Sequence, residues 1–166
     1  GAGKSVLIRI LSGLQMPDAG SVTVNSERLR WPFRAQEHDI GVVYQEPELA
    51  EQLDITSNIF LGHETGWPII GRWVKLPNQQ SMDEEAARLL AELGARLPSL
   101  HETAGNLSSE QRQLVAIAQM MARPASLRIV DDPSLLLSYP YQERLLELIR
   151  DWQREGIAVL FSSNNL

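Results

Sequence analysis

The chain of 166 residues contains no cysteine, which excludes disulfide bridges and thiolate metal sites. Aromatic residues make up only 6% of it, and 15 lysines and arginines face 21 aspartates and glutamates, for a net charge of −6. That balance argues against a nucleic-acid-binding face, which needs a Lys/Arg-rich patch. Long hydrophobic runs are missing too. None approaches the roughly 18–20 residues that span a bilayer, so any membrane connection is expected to come through a partner. The remainder is ordinary for a globular chain, at 43% hydrophobic and 22% charged with 11 glycines and 9 prolines. Its length fits one domain, or one domain with a small insert. The lack of cysteine suits a cytoplasmic protein.

Strand and helix patterns alternate over much of the chain, as in an α/β sandwich. Residues 4–14 read as a helix with Leu7, Ile10, Leu11 and Leu14 on one face. A turn at 16–20 and a short strand at 21–24 follow, then a second strand at 40–44 that ends at Gln45. Residues 62–80, with Trp67, Pro68, Gly71, Trp73 and Pro77, read as irregular. Helices are expected over 83–93 and 108–122, with Ser81 and Glu84, and Ser108 and Gln111, at capping-box spacing. A buried strand at 127–130, an amphipathic helix at 141–154 and a strand at 157–161 complete the pattern, with no internal repeat. Residues 50–122 are mostly helical between flanks that alternate, which suggests a core (1–49 and 123–166) carrying a helical insert.

Three short stretches carry the chemistry. Gly1-Ala2-Gly3-Lys4-Ser5 matches the second half of the phosphate-binding pattern G-x-x-x-x-G-K-[ST]. Its glycines let backbone N–H groups approach an anion, and the helix N-terminus that follows favours negative charge. Lys4 would reach the β- and γ-phosphates, and the Ser5 hydroxyl would ligate magnesium. The leading glycine of the full pattern would lie before Gly1, so the chain is expected to be a fragment that lacks at least one core strand at its N-terminus. Half a motif alone reads equally well as a glycine-containing helix start. Asn106-Leu107-Ser108-Ser109-Glu110-Gln111 opens a helix, and Leu127-Arg128-Ile129-Val130-Asp131-Asp132-Pro133 is an apolar strand that delivers an acidic pair. Taken singly, these are a well-capped helix and an acidic turn.

In this order and spacing the three resemble the ATP-binding subunit of an ABC transporter, across essentially all of residues 1–166. The resemblance implies a P-loop NTPase fold of the ABC type with an inserted helical subdomain. The stretch from Gln45-Glu46-Pro47-Glu48-Leu49 through Leu53-Asp54-Ile55-Thr56 to Asn58-Ile59-Phe60-Leu61-Gly62 is similar to that of sugar-import ATPases, often built as two fused halves. On that resemblance Gly1, Ala2, Gly3, Lys4, Ser5 and the Val6 backbone hold the phosphates of ATP. Ser5, Gln45 and Asp131 serve Mg2+, and Gln45 also touches the attacking water. Ser108, in the signature sequence, binds the γ-phosphate of ATP held by a second ATP-binding half. Asp132 stands where a glutamate polarises the water, and Asn164 where a histidine contacts the γ-phosphate.

Four positions depart from the family pattern: Glu110 for a glycine, Asp132 for glutamate, Ser138 for aspartate and Asn164 for histidine. A carboxylate about 4 Å from a phosphate charge costs about 4 kcal/mol at an effective dielectric near 20. Asp132 withdraws its carboxylate by roughly 1.5 Å, where a misplacement of about 1 Å can cost about a hundredfold. Asn164 can donate a hydrogen bond but takes no proton as histidine does.

The expectation is an ATPase subunit that energises sugar uptake with weakened hydrolysis. It would be peripheral on the cytoplasmic face of the plasma membrane, partnered by a permease and indirectly by a periplasmic or extracellular sugar-binding protein. The alternative is a degenerate nucleotide-binding half that regulates or scaffolds a transporter without turnover. A soluble ABC ATPase of repair or translation fits the acidic balance and the loop after Gln45 less well. His38, His63 and His101 lack metal-ligand spacing and read as surface or loop residues. Trp67 and Trp73 read as packing of the insert, with contact to a membrane partner as the other option.

Overall fold

The computed structural model describes residues 3–63, 66–70 and 74–163. Its centre is a parallel three-stranded sheet in the order β3 (Ile40–Val43), β6 (Leu127–Asp131) and β7 (Ala158–Ser162). Val43 pairs with Val130, and Val130 with Phe161. Side chains alternate across a strand, so β6 feeds both faces. Ile129, fully buried, joins Ile8 of α1 (Lys4–Leu11) with Leu29, Phe33 and Ile40. Val130 joins the larger core with α2 (Ile55–Ile59), α3 (Gln79–Glu92), α4 (Ser109–Met121) and α5 (Tyr139–Arg154). Parallel strands covered on both faces read as nearly continuous apolar runs, and Ile40–Val43 and Leu127–Val130 do.

Two antiparallel pairs sit outside this sheet. One is the short ribbon of β1 (Thr23–Val24) and β2 (Glu27–Arg28). The other is β4 (Gly66–Ile70) with β5 (Val74–Pro77), in the stretch that the sequence reads as irregular. Pro68 pairs with Lys75, and the register shifts between Pro68 and Ile70. A proline within a strand is tolerated at an edge or irregularity, and a two-stranded pair consists of edges alone. Trp73 lies outside the described residues.

The helix starts show local chemistry at work. Ser108 and Gln111 close the expected capping box on α4: the Gln111 N–H donates to Ser108 Oγ, and the Ser108 N–H donates to Gln111 Oε1. The start of α3 differs from expectation. Asn78 is its N-cap, accepting from the Ser81 N–H at 3.3 Å, so the helix begins four residues before Asp83. Asn caps as well as Ser, and Glu84 instead accepts from Gln80. A close approach joins α4 to the sheet: a Cβ at Gly41 would lie 2.8 Å from Met120 Cγ. Gly13 has φ 81°, and a Cβ there would meet the Phe33 carbonyl oxygen at 2.2 Å.

Candidate nucleotide-binding site

The sheet brings three distant parts of the chain to one place. Ser5 at the start of α1, Gln45 just past β3 and Asp131 at the end of β6 line a single cavity of about 270 Å³. Each position follows from the topology. Parallel strands carry their C-terminal ends to one edge, where ligands of open α/β sheets bind; β6 ends there at Asp131, and Gln45 follows the end of β3. Asp131 is 7% exposed. Arg9, Tyr44, Glu46 and Glu48 complete the polar lining. A carboxylate, a hydroxyl and an amide carbonyl are hard oxygen donors, and magnesium is typically held by one or two carboxylates together with substrate phosphates. The donor set fits that ion. No cluster of three His, Cys, Asp or Glu residues suits a metal among the described residues.

Lys4 precedes Ser5 in the first turn of α1, and its ammonium donates to the Ser163 carbonyl at 3.1 Å. The chain beyond β7 is thereby drawn to the start of α1. Gly3 stands at the N-cap of α1, and the Val6 side chain is 47% exposed. Gly1, Ala2 and Asn164, also expected here, lie outside the described residues.

Asp132 behaves differently from Asp131. It has φ 38°, is 1% exposed, and does not line the cavity. Its Oδ1 accepts a 2.7 Å hydrogen bond from Ser134 Oγ, and its N–H donates to the Ser162 carbonyl. The left-handed backbone turns the chain sharply out of β6 into the 3-10 turn Pro133–Leu135.

Ser108 stands apart from the cavity, exposed at the start of α4. Its oxygen accepts within the capping box, which leaves the hydroxyl proton for an outward acceptor. Arg112 fixes the approach to this turn by donating to the carbonyls of Leu107 and Gly105 and to Glu51. The Glu110 carboxylate is turned onto the Ser138 N–H at 2.6 Å.

Some of the supporting residues could not be found from motifs. Gln113, fully buried on α4, donates through Nε2 to the Tyr44 carbonyl beside Gln45. Burial pushes the Tyr44 hydroxyl up from its usual range, a hydrogen bond with Ser12 opposes that, and nearby Glu48 adds to it. Asn58 is fully buried and organises the loop after Gln45, accepting from the Ala50 N–H and donating to the carbonyls of Ala50, Leu53 and Asp54. The histidines fall largely in loops as expected, but His101 has acidic partners: it sits 3.5 Å from Asp54 and 3.7 Å from Asp83.

A helix that starts with Lys4 and Ser5, an acidic strand end and a parallel sheet that joins them are the arrangement of a P-loop nucleotide-binding domain. The family model described as ABC transporter matches residues 1–135, and the chain belongs to the ABC transporter family. Over its whole length it is 35% identical to the fructose import ATP-binding protein FrcA of Rhizobium meliloti, covering 65% of that protein. It is 34% identical to the xylose/arabinose import ATP-binding protein XylG of Sulfolobus acidocaldarius, covering 64%. It is also 34% identical to the ribose import ATP-binding protein RbsA of Geobacillus kaustophilus, covering 33%. The chain thus spans between about one third and just under two thirds of these curated relatives.

Among solved structures, it superposes on the dimeric post-hydrolysis state of an ATP-binding cassette bound to ADP and Pi. The TM-score is 0.82 at 22% identity, covering 98% of this chain and 70% of that one. An ATP-binding subunit of an ABC transporter superposes with a TM-score of 0.75 at 22% identity, covering 99% and 65%. The α/β P-loop fold expected from the sequence is the fold observed.

Proposed function

We propose that the chain is the nucleotide-binding part of a subunit that energises import of a sugar through a membrane permease. The observation that carries this reading is the convergence of Ser5, Gln45 and Asp131 on one cavity, beside the start of a helix that bears Lys4. In this reading residues 1–49 and 123–166 form the nucleotide-binding core, and residues 50–122 an insert that carries Ser108. Gly1, Ala2, Gly3, Lys4 and the Val6 backbone hold the phosphates of ATP. Ser5, Gln45 and Asp131 hold Mg2+, which would neutralise charge on the β- and γ-phosphates. The sugar-import relatives support a permease partner, a second ATP-binding half whose nucleotide Ser108 touches, and a sugar-binding protein upstream. They also support a peripheral position at the cytoplasmic face of the membrane. No helix among the described residues is long and apolar enough to cross a bilayer.

Turnover in this reading is weak. Gln45 orients the attacking water, Asp132 polarises it, and Asn164 contacts the γ-phosphate by a hydrogen bond without taking a proton. The Asp132 carboxylate is bonded to Ser134 and off the cavity. That single observation also favours a second reading, a nucleotide-binding half that regulates a transporter without hydrolysing ATP.

The test uses the full-length parent protein with its permease, comparing Mg-ATP binding with phosphate release for wild type, Asp132→Glu, Asn164→His and Lys4→Ala. Steady release by wild type, lost in Lys4→Ala, supports the transport ATPase. Tight binding with little release, recovered in the paired Asp132→Glu and Asn164→His protein, supports the regulatory half. No nucleotide binding by wild type sinks both.

A further inference from the structure

A chain of contacts runs from the Asp132 carboxylate through the turn after β6 to the starts of α5 and α4. Ser134, which donates to that carboxylate, has its own carbonyl bonded to Gln142 Nε2 at 3.1 Å. The same amide donates to the Leu137 carbonyl at 2.7 Å, so the turn after β6 is fastened to the first turns of α5. That helix begins after its N-cap, Ser138, whose side chain makes no capping bond. The backbone N–H of an N-cap is ordinarily satisfied by a Glu or Gln three residues on. Here that residue is Tyr141, and Glu110 from the first turn of α4 supplies the acceptor instead, at 2.6 Å. Its carboxylate then lies at the starts of two helices, where a negative charge is favoured.

We propose that Glu110 is a positioning residue, acting through Ser138, Gln142 and Ser134 to hold the Asp132 carboxylate out of the nucleotide cavity. The inference rests on the ATPase reading. Displacement of the first turn of α4 breaks the Glu110–Ser138 bond, loosens residues 133–138 and allows Asp132 to turn towards Ser5, Gln45 and Asp131. The acceptor oxygen matters here, not the charge: a glutamine at 110 still accepts from Ser138, whereas an alanine does not.

The experiment measures kcat and KM for ATP on the full-length parent protein with its permease, for wild type, Glu110→Ala, Glu110→Gln, Ser134→Ala and Glu110→Ala/Ser134→Ala. The expected result is a rise in kcat of about threefold to tenfold for each alanine variant at nearly constant KM. Glu110→Gln rises less than half as much. The double variant gains no more than the larger single, because both act on one chain of contacts. Additive effects, a fall or no change in kcat, or a glutamine variant that matches the alanine, overturns the proposal.

Hydrogen exchange at the Ser138 amide gives a readout independent of turnover. It accelerates in Glu110→Ala and stays slower in Glu110→Gln; equal exchange in wild type and Glu110→Ala overturns the proposal even where ATP is hydrolysed. Wild type that binds no ATP while showing this exchange pattern would instead sink the functional reading and leave the contact chain standing.

Discussion

The Glu110 carboxylate accepts a 2.6 Å hydrogen bond from the backbone N–H of Ser138, and both residues stand at positions where the sequence resemblance leads one to expect another residue. The two departures fit one another. The aspartate expected at 138 would place a second carboxylate beside Glu110, at a helix start whose N-cap N–H already has an acceptor. A serine removes the repulsion.

Ser138→Asp is therefore expected to destabilise the protein by about 1 kcal/mol, the scale of a like-charge contact offset by a better N-cap. In a Glu110→Gly background the same substitution becomes neutral or stabilising, because an aspartate N-cap then meets no neighbouring charge. Urea midpoints of the four proteins form a double-mutant cycle. A coupling indistinguishable from zero would mean that the two departures are unrelated.

Gln113 is fully buried, with Nε2 bonded to the Tyr44 carbonyl and Oε1 without a partner among the described residues. Replacement by leucine loses the bond but also removes the unsatisfied oxygen, so the net cost is expected near 1 kcal/mol. Gln113→Glu buries a charge at the place of that unpartnered oxygen and costs about 3 kcal/mol or more. Thermal melts check the order. A glutamate variant as stable as the leucine variant would rule out a dry, unpartnered site.

How far the sequence foretold these contacts depends on their range. The capping box of α4 is written in four consecutive residues, and it forms as read. The central strands were legible because strands covered on both faces read as nearly continuous apolar runs. The β4–β5 pair was not, since Pro68, Gly71 and Pro77 made residues 62–80 read as irregular, and the pairing of Gly66–Ile70 with Val74–Pro77 is not written in either segment alone. Helix α2 was missed for a similar reason. It is five residues long and rich in β-branched Ile55, Thr56 and Ile59, and a helix so short gains little from propensity. Capping by Asp54 and the buried Asn58 amide hold it in place. At the site, the residue types of Lys4, Ser5, Gln45 and Asp131 carry their own chemistry and could be read. The turning of Asp132 onto Ser134 could not, because it depends on a left-handed residue and on side chains from two helices.

Arg128 interrupts the apolar run of β6. It is 7% exposed, its guanidinium stacks 4.2 Å from the Trp152 ring, and its Nε has no partner among the described residues. Burial pulls its pKa below the usual arginine value, with Glu155 and Glu92 opposing. Arg128→Leu removes a poorly paired buried charge while keeping apolar bulk against Trp152, and is expected to be neutral or stabilising by about 1–2 kcal/mol. Arg128→Ala leaves Trp152 without its cover and is expected to lose about 2 kcal/mol. Chemical denaturation followed by tryptophan fluorescence separates the two. A leucine variant weaker than alanine would show that the charge itself is required.

Asp54 couples the loop after Gln45 to pH. Burial alone pushes its carboxyl up, but hydrogen bonds from Ser57 and His101 outweigh that and hold it below the usual carboxylate range. A depressed folded pKa means that the ionised group stabilises the fold above the unfolded value of about 3.9, and that this contribution fades as pH falls through the folded value. Asp54→Asn keeps a good N-cap on α2 while deleting the charge that faces His101. The wild type is therefore expected to be more stable than Asp54→Asn near neutral pH, with the gap closing as pH drops from about 5 towards 3. Urea midpoints across that range measure it. A gap that stays constant with pH would assign the whole effect to capping geometry and none to the Asp54 charge.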